Sequence, residues 1–173
     1  MFFYDVFFSV VTGFAGSLLV VLFFYRLKPK VEISKFIAEQ GSGDDITYGF
    51  KIINRTSYPL IDISVELVLI TPKNVPGGTV HAGREISLLR NRFFELGEFD
   101  KKDKEAQYAL RIGSAEKIRE IWTSETQYLR LNVIAKHSLS GFSKVVSQNY
   151  HTLGDIRPGK HRAGNDLTVE SVK

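Results

Sequence analysis

The sequence predicts a mainly β protein, with a single N-terminal transmembrane helix followed by an immunoglobulin-like antiparallel β-sandwich. Three observations predict it. An uncharged apolar run opens the 173-residue chain, apolar residues beyond residue 30 recur every second position, and turn-forming clusters cut that region into short pieces. Composition divides the chain in the same way. Seven of the 13 Phe lie in the first 25 residues, whereas all 23 Lys and Arg follow them and Asp5 is the one acid before them. With no cysteine, a disulfide scaffold, a thiolate metal site and a cysteine nucleophile are excluded.

The apolar run covers residues 6–25 without a charge. A helix of that length spans about 30 Å, the thickness of a bilayer core. A cleaved signal peptide needs a basic N-terminal region, and Met1 to Asp5 contain no basic residue. Residues 1–27 therefore read as a retained anchor. Arg26, Lys28, Lys30 and Lys35 follow the run, opposed there by Glu32. Basic residues stay on the cytoplasmic side, so the C-terminal domain faces the cytoplasm with the N-terminus outside. Arg26, Lys28 and Lys30 then stand at the membrane surface, where each contributes about 1 kcal/mol toward an anionic leaflet. The glycosylation triplet Asn54-Arg55-Thr56 is accidental in that topology.

Small residues mark one side of the helix. Ser9, Gly13 and Ser17 recur every four residues, with Thr12 and Gly16 on the adjoining stripe. Such a face lets two helix backbones approach, so it predicts self-association. Phe7, Phe14, Leu18 and Phe24 fall mostly elsewhere and face lipid. No ionisable group interrupts residues 6–25, which leaves a single span without an ion relay.

The domain, residues 28–153, reads as strands over 31–38, 46–53, 58–71, 79–89, 93–99, 107–112, 128–136 and 142–150. In the third strand Ile61, Ile63, Val65, Leu67 and Leu69 alternate with Asp62, Ser64 and Glu66. In the seventh, Leu129, Leu131, Val133 and Ala135 oppose Arg130, Asn132 and Lys136. Both patterns describe half-buried strands. Residues 114–122 read as a short helix capped by Ser114, whose first turn, Ala115-Glu116-Lys117, leads to Ile118, Ile121 and Trp122. Residues 154–173 are rich in Gly, Pro and charge and read as a flexible tail. Its basic cluster of Arg157, Lys160, His161 and Arg162 is expected to be solvated.

The run Tyr48-Gly49-Phe50-Lys51-Ile52-Ile53-Asn54-Arg55 begins a longer likeness. It continues through strands 61–70 and 93–99, then 131–137 and 147–150, to Asp155-Ile156-Arg157-Pro158-Gly159. Over residues 46–160 this order resembles the cytoplasmic immunoglobulin-like domain of inward-rectifier potassium channels. The resemblance implies the fold and a ring-forming, membrane-proximal habit. It implies no channel activity, because the chain has one span, no pore helix and no T-V-G-Y-G filter.

No motif names a reaction. His81, His137, His151 and His161 lie outside any metal-binding spacing, and no phosphate loop or nucleophile elbow is present. Asp44-Asp45 offers too few oxygens for calcium. The reading is therefore not an enzyme, with no cofactor and no metal. Charge of both signs is interspersed, which argues against nucleic acid as a partner. The expected partners are membrane lipid, further copies of the chain, and a protein or small ligand. The expected function is a membrane-anchored interaction or sensor module. The alternative is an oligomerising effector that perturbs the bilayer on a signal sensed by the domain.

Overall fold

The computed structural model describes residues 2–103 and 105–171. Met1 of the expected anchor, and Val172 and Lys173 of the expected tail, lie outside them. Among the described residues an N-terminal helix, α1 (Phe2–Arg26), precedes twelve strands and one further short α-helix. Twenty-four of its residues, Phe3–Arg26, form a helix long and apolar enough to cross a membrane, and none of its most apolar window is buried in the protein.

The strands form two five-stranded sheets and a two-stranded pair among the described residues. In the first sheet β3 (Thr47–Asn54) is central. It pairs antiparallel with β1 (Val31–Ile33) and β2 (Ile37–Gln40) on one side and β7 (Ala109–Ser114) on the other. The expected strand over 31–38 is thus two strands. The break falls at Ser34, whose buried hydroxyl engages the backbone of Phe36 two residues on and so draws the chain out of the ladder.

The second sheet is built on β4 (Leu60–Val75). One side of β4 carries β8 (Tyr128–His137) and then β9 (Ser143–Tyr150). The other carries β5 (Gly78–Ile86) and β6 (Arg92–Leu96) in succession. One apolar cluster draws on both sheets. Tyr48, Phe50, Ile52 and Ile112 come from the first, and Val65, Leu67, Leu69, Leu129, Leu131, Val133 and Tyr150 from the second. The alternation predicted for β8 is observed: Leu129, Leu131, Val133 and Ala135 are buried.

Three further expectations are corrected. In β4 the inward residue at the strand start is Leu60, not Ile61. The ladder shifts register between Ile61 and Ser64, and Asp62 there has φ +51°. A bulge adds one residue to one strand, so the residues on either side of it exchange faces. Aspartate tolerates this left-handed conformation better than most residues.

The predicted helix is only α2 (Ile118–Ile121), and Ser114 does not cap it. Ser114 ends β7, and its hydroxyl donates to the Ser87 carbonyl at 2.8 Å. A serine that closes a strand-to-loop bend is unavailable to a helix start four residues later.

The expected tail is folded as far as residue 171. Here β10 (Ile156–Pro158) runs parallel to β2, and β11 (Lys160–His161) pairs with β12 (Val169–Glu170). Lys51 of β3 anchors this strap. Its buried Nζ donates to the carbonyls of Arg162, Gly164 and Asp166 at 2.7, 2.6 and 2.6 Å. Burial, with repulsion from Arg111 and Arg55, pushes the Lys51 ammonium down to about 8, so it stays charged at pH 7. The strap crosses its neighbour so closely that a Cβ on Gly159 (φ +132°) would sit 2.0 Å from the Glu170 carbonyl oxygen. The expected solvated basic cluster is largely engaged. Arg157 lies 3.4 Å over the Phe36 ring, His161 is buried, and Arg162 faces Asp166 and Glu170.

Val65 is buried while Glu66 is exposed and accepts from Asn132 at 3.0 Å. In chemical denaturation of the detergent-solubilised chain, followed by Trp122 fluorescence, Val65→Asp should cost at least about 3 kcal/mol. Glu66→Ala should stay within about 1 kcal/mol of the parent. Lys51→Met leaves three carbonyls without their donor and should cost about 2–4 kcal/mol. Limited trypsin digestion should then cut the variant at Arg162 sooner than the parent; equal cutting would mean that the strap is held by something else.

Candidate membrane anchor and its junction

The five small residues singled out on α1 lie on its exposed surface. The hydroxyls of Ser9, Thr12 and Ser17 turn to the helix backbone, where the carbonyl one turn earlier is within reach. Ser9 donates to the Asp5 carbonyl at 2.8 Å, Thr12 to Phe8 at 2.8 Å and Ser17 to Gly13 at 2.9 Å. An added Cβ at Gly13 or Gly16 would meet nothing within 4 Å. The stripe is therefore smooth, internally satisfied and open along its length.

The basic residues sit at and just beyond the C-terminal end of the helix. Arg26 and Lys30 are exposed, and Lys28 places its ammonium 3.2 Å from the centre of the Tyr25 ring. A tyrosine with a cation over its face at the end of an apolar helix is the side-chain chemistry found at bilayer interfaces.

Helix and domain are joined by a short, firmly held passage. Pro29 is buried. The Lys30 amide donates to Thr56 Oγ1 at 3.0 Å, and the Arg55 amide donates to the Lys30 carbonyl at 2.7 Å. Ser140, in the turn between β8 and β9, donates its hydroxyl to the Leu27 carbonyl at 2.5 Å. That turn is rigid too. His137 Nδ1 accepts from the Leu139 and Ser140 amides at 3.2 and 3.3 Å, and the Gly141 amide returns to the His137 carbonyl at 2.9 Å. Sequence reasoning missed Ser140, Thr56 and His137. The one signal available was the pair of apolar residues, Leu139 and Phe142, in a turn that is otherwise Ser and Gly.

Thr56 is fixed in turn by Asn54. The Asn54 side chain is buried, donates to the Tyr58 and Gly97 carbonyls at 2.9 and 2.8 Å, and accepts from the Thr56 amide at 2.8 Å. Both amide hydrogens are spent, so the glycosylation triplet holds no accessible acceptor in the folded domain.

At the opposite end of the domain lies a cleft of about 520 Å³, lined by Trp122, Thr123, Ser124, Glu125, His151, Thr152 and Leu153. Part of its polar lining is turned to structure. Thr152 and Asp155 cap each other's turn, and His151 stacks on Tyr128 at 5.5 Å. Among the described residues no group of three His, Cys, Asp or Glu could hold a metal ion. Comparison with known protein families and with curated proteins finds no match for the chain.

His137 gives the junction a pH dependence. Burial holds its pKa below the ordinary value of 6.5. With Nδ1 accepting two amides, the proton sits on Nε2, which is buried without a partner. Between the depressed value and 6.5 the unfolded chain holds a proton that the folded one refuses, so stability falls as pH drops through 6.5. His161, also depressed chiefly by burial, acts in the same sense. The thermal midpoint should decline from pH 7 to pH 5. His137→Asn, whose amide oxygen can replace the Nδ1 acceptor, should flatten part of that decline. An unchanged slope would locate the proton uptake elsewhere.

Proposed function

We propose that the chain is a single-pass membrane protein whose span anchors, and self-associates beside, a cytoplasm-facing immunoglobulin-like β-sandwich that serves as an interaction or sensor module. The observation that carries the reading is the contrast between the two parts. The domain closes its own apolar cluster, while the N-terminal helix has no protein cover over its most apolar window. Uncovered apolar surface of that extent needs a lipid or helical neighbour. The sandwich reading is supported by strand order. The set β7-β3-β1/β2 and the set β9-β8-β4-β5/β6 correspond to the two sheets of immunoglobulin-like domains, and the inward residues of both belong to one cluster. It also agrees with the resemblance noted to the cytoplasmic domain of inward-rectifier channels.

Self-association is favoured by the smooth Ser9, Gly13, Ser17 face. The same face argues against a bilayer-perforating effector. It carries three hydroxyls, those of Ser9, Thr12 and Ser17, which is little polarity to line a water-filled path.

One experiment tests anchorage, topology and assembly together. In intact cells expressing the chain with a C-terminal epitope, external protease should leave the epitope and residues 31–171 intact. Cross-linking in isolated membranes should give an oligomer that Gly13→Ile weakens and Leu18→Ile preserves. Digestion from outside would reverse the topology, and association of Gly13→Ile at parental strength would move assembly to the domain.

A further inference from the structure

We infer that the turn between β8 and β9, together with Tyr58, is a second membrane contact: a foot that rests in the headgroup–acyl boundary and fixes the tilt of the domain. The inference rests on the reading of α1 as a span. If α1 crosses the bilayer, Tyr25 and Arg26 lie at its surface, and Leu27 can be no more than a residue's rise beyond it. Ser140 Oγ lies 2.5 Å from the Leu27 carbonyl oxygen, so the turn is held at that same depth.

The side chains displayed there are apolar. Leu139 is 51% exposed, Tyr58 40% and Phe142 39%. In water three large apolar groups clustered at a turn and its neighbouring loop gain nothing from their position. At the boundary each removes apolar surface from water, and tyrosine suits both halves of the interface.

The pieces are held together. Tyr58 packs on His137 with ring centroids 5.3 Å apart, and His137 clamps the Leu139 and Ser140 amides. Rigid groups of this kind lose little freedom on insertion. The surroundings suit a membrane surface. Lys144 follows the foot in sequence, Lys28 and Lys30 follow Leu27, to which the turn is bonded, and Asp62, the nearby acid of β4, faces Lys136 at 3.7 Å. On the other side of the junction the loop carrying exposed Asp100, Lys101 and Lys102 is charged. That loop offers no large apolar side chain to compare with Leu139, Phe142 and Tyr58, so the domain leans toward its β8–β9 turn. The occupant is the lipid of the leaflet into which α1 runs, because the turn is tethered to that depth by the chain itself.

The absence of cysteine makes the test direct. Single variants Val10→Cys, Leu139→Cys, Phe142→Cys and Glu125→Cys of the full chain are spin-labelled and reconstituted into vesicles of mixed neutral and anionic phospholipid. Each label's accessibility to oxygen, which partitions into lipid, is compared with that to a water-soluble nickel chelate. The expected result is a high oxygen-to-chelate ratio at residue 10, intermediate ratios at 139 and 142, and a low ratio at 125. Ratios at 139 and 142 equal to that at 125, with residue 10 in lipid, overturn the foot and leave the anchor standing. A low ratio at residue 10 overturns both. Labels at 139 and 142 shielded from both reagents and broadened by a neighbouring spin would assign this surface to a second copy, and also overturn the lipid contact.

Discussion

The side chain of Asn54 holds together the end of the domain from which the helix departs. A single buried amide joins the end of β3 to the Tyr58 carbonyl and to the Gly97 carbonyl after β6, and orients the Thr56 amide. Thr56 then receives Lys30 through its hydroxyl and Phe99 through its carbonyl. Without this hub three loops would have to satisfy their buried backbone groups separately. Buried polar groups are costly when unpaired and confer rigidity when fully paired, and here they are paired. The position of the first strand relative to the helix depends on that closure.

The apolar cluster and the junction divide the labour differently. The cluster supplies stability through side chains that alternate on β4 and β8, which is a repeating and local property of sequence. The junction supplies geometry through a few bonds between residues far apart in the chain, such as Ser140 to Leu27 across 113 positions. A domain can lose some of the first and remain folded. Loss of the Ser140–Leu27 bond would instead leave the domain folded and the helix freer to reorient about residues 27–30.

This division explains what was legible in the sequence. The apolar helix, the strand content and the inward face of β8 follow from periodicity, so they could be read directly. The face exchange at Leu60 and Ile61 could not, because a bulge at Asp62 has no periodic signature. The strap defeated composition for a different reason. Its few apolar residues suggested solvent, but Lys51 holds it by backbone carbonyls, which every sequence possesses. The small-residue stripe on α1 was legible as a pattern, yet none of the described residues covers it. The junction was hidden because its polar partners are separated by long stretches and belong to no motif.

The Lys51 ring of carbonyls also bears on the order of events in folding. Its three acceptors lie 111, 113 and 115 residues further along the chain. The segments of β3, β4 and β8 are therefore synthesised before the acceptors of the Lys51 ammonium, and Lys51 lacks its cover until residues 162–166 have emerged. Contacts of such long range carry the largest loop-closure cost and form slowly. Until then the face of β3 that carries Lys51 is open to water, and dehydration of one lysine marks the moment when that exposure ends.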